Sequence, residues 1–383
     1  MRDLLRDQFK HPDGTNLASL VPDFSWLSGV WSLNLSGTAN VQSNRANVVS
    51  VSGDVGFLAE LEFGYPDYMA SCIVNAMAVD PCVAGLGVRI SSATGLLQYF
   101  VNVSRVGSLN IWQWDGATAT LLATQAVTID PSTDYVITAK VQGSTISAML
   151  DGANIVIAEN CTQNPTSSLV GIRSSAAGTR FDDFAVTGVS RRQVICDGDS
   201  LTFGTGSTSG QNYPYQLEQL LPIAGDYVCF NLGISGTTIA TMISGAVARV
   251  DKRICGWNTK NIVVCWGGIN DLANGDDATT VYNNIVTYCQ ARQVAGWQVV
   301  VCTFPASSAL TVGQEVNRQT VNTNIRNNYT TFADALADLA ANSHFDEQSD
   351  VADATYYADE THLKNAGYAI VAGLINTAIG TLS

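Results

Sequence analysis

Near Arg191 the chain changes its period, and this change limits the fold more than any other feature. From about Trp31 to Val189 it reads as short runs rich in Val, Ile, Tyr and Trp. FLAELEF (57–63), GLLQYFVNV (95–103), LNIWQWD (109–115), DYVITAKVQ (134–142) and TISAMLDG (145–152) are such runs. Several alternate apolar with polar residues, and Gly, Asn, Asp, Pro or Ser interrupts them about every 8–12 residues, as in an antiparallel β-sandwich. The LDG step at 150–152 reads as a hairpin turn, because Asp-Gly accommodates positive φ.

Past Arg191, apolar strand candidates alternate with helical stretches. The strands are RQVICDGD (192–199), DYVCFNLG (226–233), NIVVCWGG (261–268) and WQVVVCTF (297–304). The helices are 213–221, 237–250, 281–296, a stretch through roughly 313–340, and 363–380. Near-continuous Val/Ile/Cys strands suit a parallel sheet covered on both faces. Strand–helix alternation implies right-handed crossovers and a doubly wound, flavodoxin-like three-layer (αβα) domain. Two domains are therefore expected, residues 1–190 and 191–383, and a chain of 383 residues is long enough for both.

Charged residues make up 14% of the chain and hydrophobic ones 46%, a balance that excludes disorder. The net charge of −14 divides evenly between the halves, so neither offers a basic stripe for nucleic acid or an anionic membrane. No apolar run reaches the roughly 20 residues of a membrane span. The opening residues, MRDLLRDQFKHPDGT, lack the apolar core and cleavage site of a secretory signal. Nine cysteines leave at least one unpaired or paired between molecules. Cys196, Cys229, Cys265 and Cys302 sit in apolar strand runs and read as buried thiols, whereas Cys72 and Cys82 are near enough in sequence to bridge a turn. No CxxC pair or His/Cys cluster suggests a metal, and no cofactor is implied.

Immediately after the first strand of the second half comes DGDSLTFG (197–204). A Ser among Gly and Asp in a strand-to-helix loop is usually turn chemistry or a helix cap. Three further blocks change that balance: NLGISG (231–236), GGIND (267–271) and DETH (359–362). Each falls at a strand end or just before the last helix, where functional groups gather in such sheets. With these four blocks in order, residues 192–383 resemble the GDSL, or SGNH, hydrolases.

The resemblance implies a serine esterase. Ser200 would be the nucleophile and His362 its general base, with Asp359 orienting the imidazole. It implies an oxyanion hole built from the backbone N–H groups of Ser200 and Gly233 and the side-chain amide of Asn270. Asp199 and Asp271 match the blocks but are expected to hold loop geometry, and Asp197, Ser235 and Glu360 receive no role. Of the other histidines, His11 lies near the start of the chain and His344 in a polar loop with no matching block.

The end of the front half, GTRFDDFAVTGVS (178–190), resembles the closing strand of concanavalin-like, laminin-G-type jelly-roll domains. Residues 7–33 are similar to the leading segments of sandwich modules in secreted or phage-tail proteins. These likenesses imply a jelly-roll sandwich that binds carbohydrate or serves assembly, and an extracellular setting, secreted or on a virion. Trp26, Trp31, Trp112 and Trp114 offer rings for stacking on sugars, but a strand Trp is more often core, and core is the expectation for this set. The expected substrate is then a short-chain, acetyl-type ester on a polysaccharide. Two rivals stay open: a lipase or thioesterase acting on acyl chains, and a non-catalytic glycan-binding or structural protein. The sequence indicates no oligomeric state.

Overall fold

The computed structural model describes residues 97–189, 192–222 and 227–382 without a break, and shorter stretches between residues 5 and 91. It divides into two compact units, Met1–Ser190 and Arg191–Ser383.

The first unit is a jelly-roll-type sandwich of two antiparallel sheets. One sheet runs Asn154–Ala158, Thr145–Leu150, Tyr135–Gln142, Tyr68–Asn75, Arg180–Thr187, Leu5–Asp7, Phe24–Ser25. Arg45–Val51 also pairs with Arg180–Thr187, and Gly37–Gln42 pairs with Arg45–Val51. The other runs Ala119–Ala126, Ser108–Trp114, Gln98–Ser104, Val83–Ile90, Leu169–Ser174, Val55–Ala59, Trp31–Leu33. The period-2 alternation sends Tyr135, Ile137, Ala139 and Val141 from one sheet into the same core as Tyr99, Val101, Val103, Leu109 and Ile111 from the other. Asp151 and Gly152 turn the 145–158 hairpin with φ of 50° and 73°, the two positive values a tight two-residue turn needs. The FDDF step forms a bulge in the Arg180–Thr187 strand, where the register shifts between Asp182 and Ala185 and Asp183 takes φ 45°.

One expectation about this unit changes. Trp112 and Trp114 do not enter the core. The inward positions of their strand are Leu109 and Ile111, and the indoles lie half-buried on the opposite side of the sheet. Trp26 and His11 lie outside the described residues. Cys72 and Cys82 are both buried and unbridged, as are the other seven cysteines.

In the second unit the elements are β1 (Arg192–Gly198), α1 (Ser200–Phe203), α2 (Tyr213–Leu220), β2 (Tyr227–Asn231), α3 (Ile239–Arg249), β3 (Lys260–Trp266), α4 (Ile269–Ala273), α5 (Ala278–Val294), β4 (Gln298–Cys302), α6 (Val312–Asn328), β5 (Ala335–Ala337) and α7 (Asn365–Gly380). All the strand pairings are parallel, in the order β2-β1-β3-β4-β5. Val194, Ile195, Val263, Val264, Val299 and Val300 are fully buried, as strands with helices over both faces require. Helix α2 packs with α7, while α3, α5 and α6 pack in series. Chain connections leave β1 toward β2 on one side, and β3 follows on the other, so a crevice opens beyond the carboxyl end of β1.

The helix expected through roughly 313–340 stops at Asn328. A short apolar run, Ala335–Ala337, leaves it to become the edge strand β5. Among the described residues no helix is long and apolar enough to cross a membrane.

Candidate active site

Strand β1 delivers the chain to the carboxyl edge of the sheet, and Asp199 starts α1 by accepting from Leu201 N–H at 2.9 Å. Ser200 is therefore the first residue of a one-turn helix, 8% exposed. The segment after β2 runs alongside: Leu232 N–H donates to Cys196 O and Ile234 N–H to Gly198 O. That ladder seats Gly233 hard against α1. A Cβ there would lie 2.1 Å from Phe203 N and 2.7 Å from Phe203 Cα, so only glycine permits the approach.

The fourth block arrives on a pinned loop. Ala358 N–H donates to His362 O at 2.8 Å, Tyr357 bridges Leu363, and Ser307 Oγ bonds Thr361 Oγ1 at 2.7 Å and Glu360 O at 2.9 Å. Held this way, His362 Nε2 lies 2.9 Å from Ser200 Oγ. Its Nδ1 lies 2.8 Å from Asp359 Oδ2 and 3.0 Å from Oδ1. A proton on Nδ1 satisfies both ends at once: Nδ1–H donates to Asp359, and Nε2 is left to accept from the serine hydroxyl. Burial acts to raise the Asp359 carboxyl. The backbone N–H and ring of His362, with Thr361 N–H, outweigh it and hold the group below the usual carboxylate range. Its side chain is 53% exposed, so solvent screens its charge, and its main effect is to fix the ring and tautomer.

The three oxyanion candidates meet at the same edge but are not equally free. Ser200 N–H sits in the first turn of α1, where helix N–H groups lack intrahelical acceptors. Asn270 Nδ2 donates one hydrogen to Thr237 O at 2.9 Å and keeps its second. Gly233 N–H, by contrast, donates to Asn231 Oδ1 at 3.0 Å, and Asn231 Nδ2 donates to Phe203 O at 3.2 Å. For Gly233 to serve an oxyanion, its N–H must exchange Asn231 for the substrate.

The buried acids behave as loop braces. Asp271, fully buried, accepts from Ile239 N–H at 3.0 and 3.1 Å, tying the third block to the start of α3. Burial raises its carboxyl against that hydrogen bond. Asp197, also fully buried, takes Arg249 Nη2 at 2.8 Å and Tyr288 O–H at 2.6 Å. Asp199 is less well served. Its Oδ2 has no hydrogen-bond partner, and burial, reinforced by the charge of Asp271 against the Leu201 N–H bond, pushes the carboxyl up to about 7. His344 stacks on Tyr356, and Glu360 contributes its carbonyl to the loop. Sequence reasoning missed Asn231 and Thr237; the Asn two residues before the block glycine was the only signal for the first. Among the described residues no group of three or more His, Cys, Asp or Glu side chains is arranged to hold a metal ion.

Solved structures resembling part of the chain include a lipolytic protein of the G-D-S-L family from Veillonella parvula, 18% identical over 50% of this chain and 100% of its own, with a TM-score of 0.43. Another is such a protein from Desulfitobacterium hafniense, 16% identical over 49% of this chain and 99% of its own, TM-score 0.40. The carbohydrate-binding module CBM66 from Bacillus subtilis is 16% identical over 41% of this chain and 94% of its own, TM-score 0.37. No curated protein sequence matches significantly. The model of the GDSL-like lipase/acylhydrolase family matches residues 196–370, a span that takes in Ser200, Gly233, Asn270, Asp359 and His362. Those residues stand at successive strand ends around one serine, and the domain they belong to is a member of the GDSL-like lipase/acylhydrolase family, whose chemistry is ester hydrolysis.

Proposed function

We propose that the second unit is a serine esterase for short acyl groups, acetyl above all, carried on a polysaccharide outside the cell. The observation that supports it most is the Ser200–His362–Asp359 relay, 2.9 Å at one end of the imidazole and 2.8 Å at the other. Ser200 Oγ attacks the ester carbonyl as His362 Nε2 takes its proton. Ser200 N–H, Gly233 N–H and Asn270 Nδ2 stabilise the resulting oxyanion. His362 then protonates the departing alcohol, and afterwards activates the water that releases the acid and frees Ser200.

An uncharged ester suits a unit whose share of the net −14 would repel anionic partners, nucleic acid and acidic membranes included. The sandwich would hold the enzyme on its polymer, raising the local concentration of esters without a new catalytic contact.

The test is turnover of nitrophenyl esters of increasing chain length, beside acetate release from acetylated glycans. Ser200→Ala and His362→Ala should each lower kcat by about 10³-fold or more with the fold intact by circular dichroism. Near-native rates in either variant would remove the relay. Activity rising toward long chains would replace the short-acyl reading with a lipase or thioesterase.

A further inference from the structure

The sandwich carries a groove of about 480 Å³ on the outward face of the sheet that contains Gln98–Ser104 and Ser108–Trp114. That volume falls in the roughly 300–1,000 Å³ range of small-ligand sites. Two cross-strand rows make its floor. In one, Thr124, Asn110 and Asn102 stand side by side on neighbouring strands, followed by Gly85 and then Arg173. In the next, Trp112 faces Phe100, and Trp114 continues on the same face two residues along.

The polar row is a chain of donors with an unfinished end. Thr124 O–H donates to Asn110 Oδ1 at 2.7 Å, and Asn110 Nδ2 donates to Asn102 Oδ1 at 3.2 Å. There it stops: Asn102 is 1% exposed and its Nδ2 has no partner. An unmet buried donor costs about 1–3 kcal/mol, so its retention calls for an acceptor that arrives from outside. The neighbouring place in the row is Gly85, which brings no side chain to meet the amide. Arg173 closes the far side with its guanidinium 4.7 Å above the Phe100 ring.

An occupant must therefore bring an apolar face for two indoles and, at its edge, an oxygen for a buried amide. A pyranose ring has both, its axial C–H face and its ring of hydroxyls. A fatty chain leaves the amide unmet, and a nucleic acid meets a chain of net charge −14. We propose that this groove binds a segment of polysaccharide, one sugar lying on Trp112 and Trp114 and a sugar oxygen accepting from Asn102 Nδ2. The proposal deepens the polysaccharide reading of the enzyme and rests on it for the choice of ligand.

The experiment is affinity electrophoresis of the full chain carrying Ser200→Ala, in native gels containing a neutral β-glucan, a xylan or a polyuronate. Retardation is expected on at least one, the arms separating a neutral hydroxyl from a carboxylate as the acceptor. Adding Trp112→Ala should raise the Kd at least about tenfold. Adding Ile157→Ala, at a 56% exposed site on the other sheet, should leave it unchanged. Asn102→Ala gives a second reading, with circular dichroism to show that each variant is folded. No retardation on any of the three glycans overturns the proposal, and so does equal retardation with Trp112→Ala. Because Ser200→Ala removes hydrolysis from the measurement, a failed esterase reading leaves this result untouched.

Discussion

Asp199 stands next to the nucleophile with one oxygen capping α1 and the other unmet, and its carboxyl is pushed up to about 7. A carboxyl raised in the folded state binds its proton more tightly there than in the unfolded chain. Below its ordinary value near 3.8 both states are protonated, and Asp199 imposes no pH dependence. Between there and about 7 the unfolded chain ionises first, so stability falls as pH rises; above about 7 the loss is complete. Three pKa units correspond to about 4 kcal/mol at most. Asn keeps the cap and cannot ionise, so the Tm of Asp199→Asn relative to the parent should climb from pH 4 to 7 and then level off. A Tm difference that is flat with pH, followed by scanning calorimetry, would show that Asp199 is not the buried acid described here. Residues at this scale were legible where the chemistry demands a type at a place. Ser200 and the Asp359–His362 step lie in blocks far apart in sequence that the fold brings within hydrogen-bond distance. Asn231 was not legible, because its importance lies in accepting the Gly233 N–H, a partnership made by the fold of one loop.

At the scale of elements, the site depends on how closely two loops meet at the carboxyl edge. The β2 loop lies on α1 with no space for a methyl group at Gly233, whose N–H is also a donor proposed for the oxyanion. Gly233→Ala keeps the N–H and adds a Cβ against Phe203 backbone, which cannot rotate aside as a side chain would. The loop must lift from α1, at a cost of about 1–3 kcal/mol in stability. Taking one donor out of line should lower kcat for nitrophenyl acetate on the order of 10²-fold, with KM little changed. An unchanged kcat would show that the donor is dispensable. Strands β1 to β4 were legible because buried parallel strands read as continuous apolar runs. Strand β5 was not: Ala335–Ala337 is three residues long and follows α6 through a single turn of 3-10 helix, so its apolar residues continue a helical pattern. A pairing with β4, residues Val300 to Cys302, decides it, and that contact is tertiary. The Trp112 and Trp114 expectation failed for a related reason. Alternation says that two residues share a face, and the core side of that strand is set by Leu109 and Ile111, which the pattern left undetermined.

Across the whole molecule, the change of period at Arg191 coincides with the division into two compact units. Among the described residues, the hydrophobic core of the sandwich draws on residues from Phe9 to Val186. The second unit has its own sheet, and every residue of the serine relay and its donors lies within 200–362. A core complete within one segment of about 190 residues is the condition for folding alone. The chain cut to residues 191–383 should therefore fold, melt in one cooperative transition, and turn over nitrophenyl acetate with kcat/KM within about twofold of the full chain. If the sandwich acts by holding a polymer, the same cut should lower acetate release from an acetylated, high-molecular-weight glycan, most strongly below saturation. The loss would come from effective concentration, so it should vanish when the glycan is digested to monosaccharides before the assay. Equal loss on the small ester would instead mean that the sandwich supports the hydrolase fold itself. Equal rates on polymer and monomer after the cut would leave the sandwich without a part in catalysis.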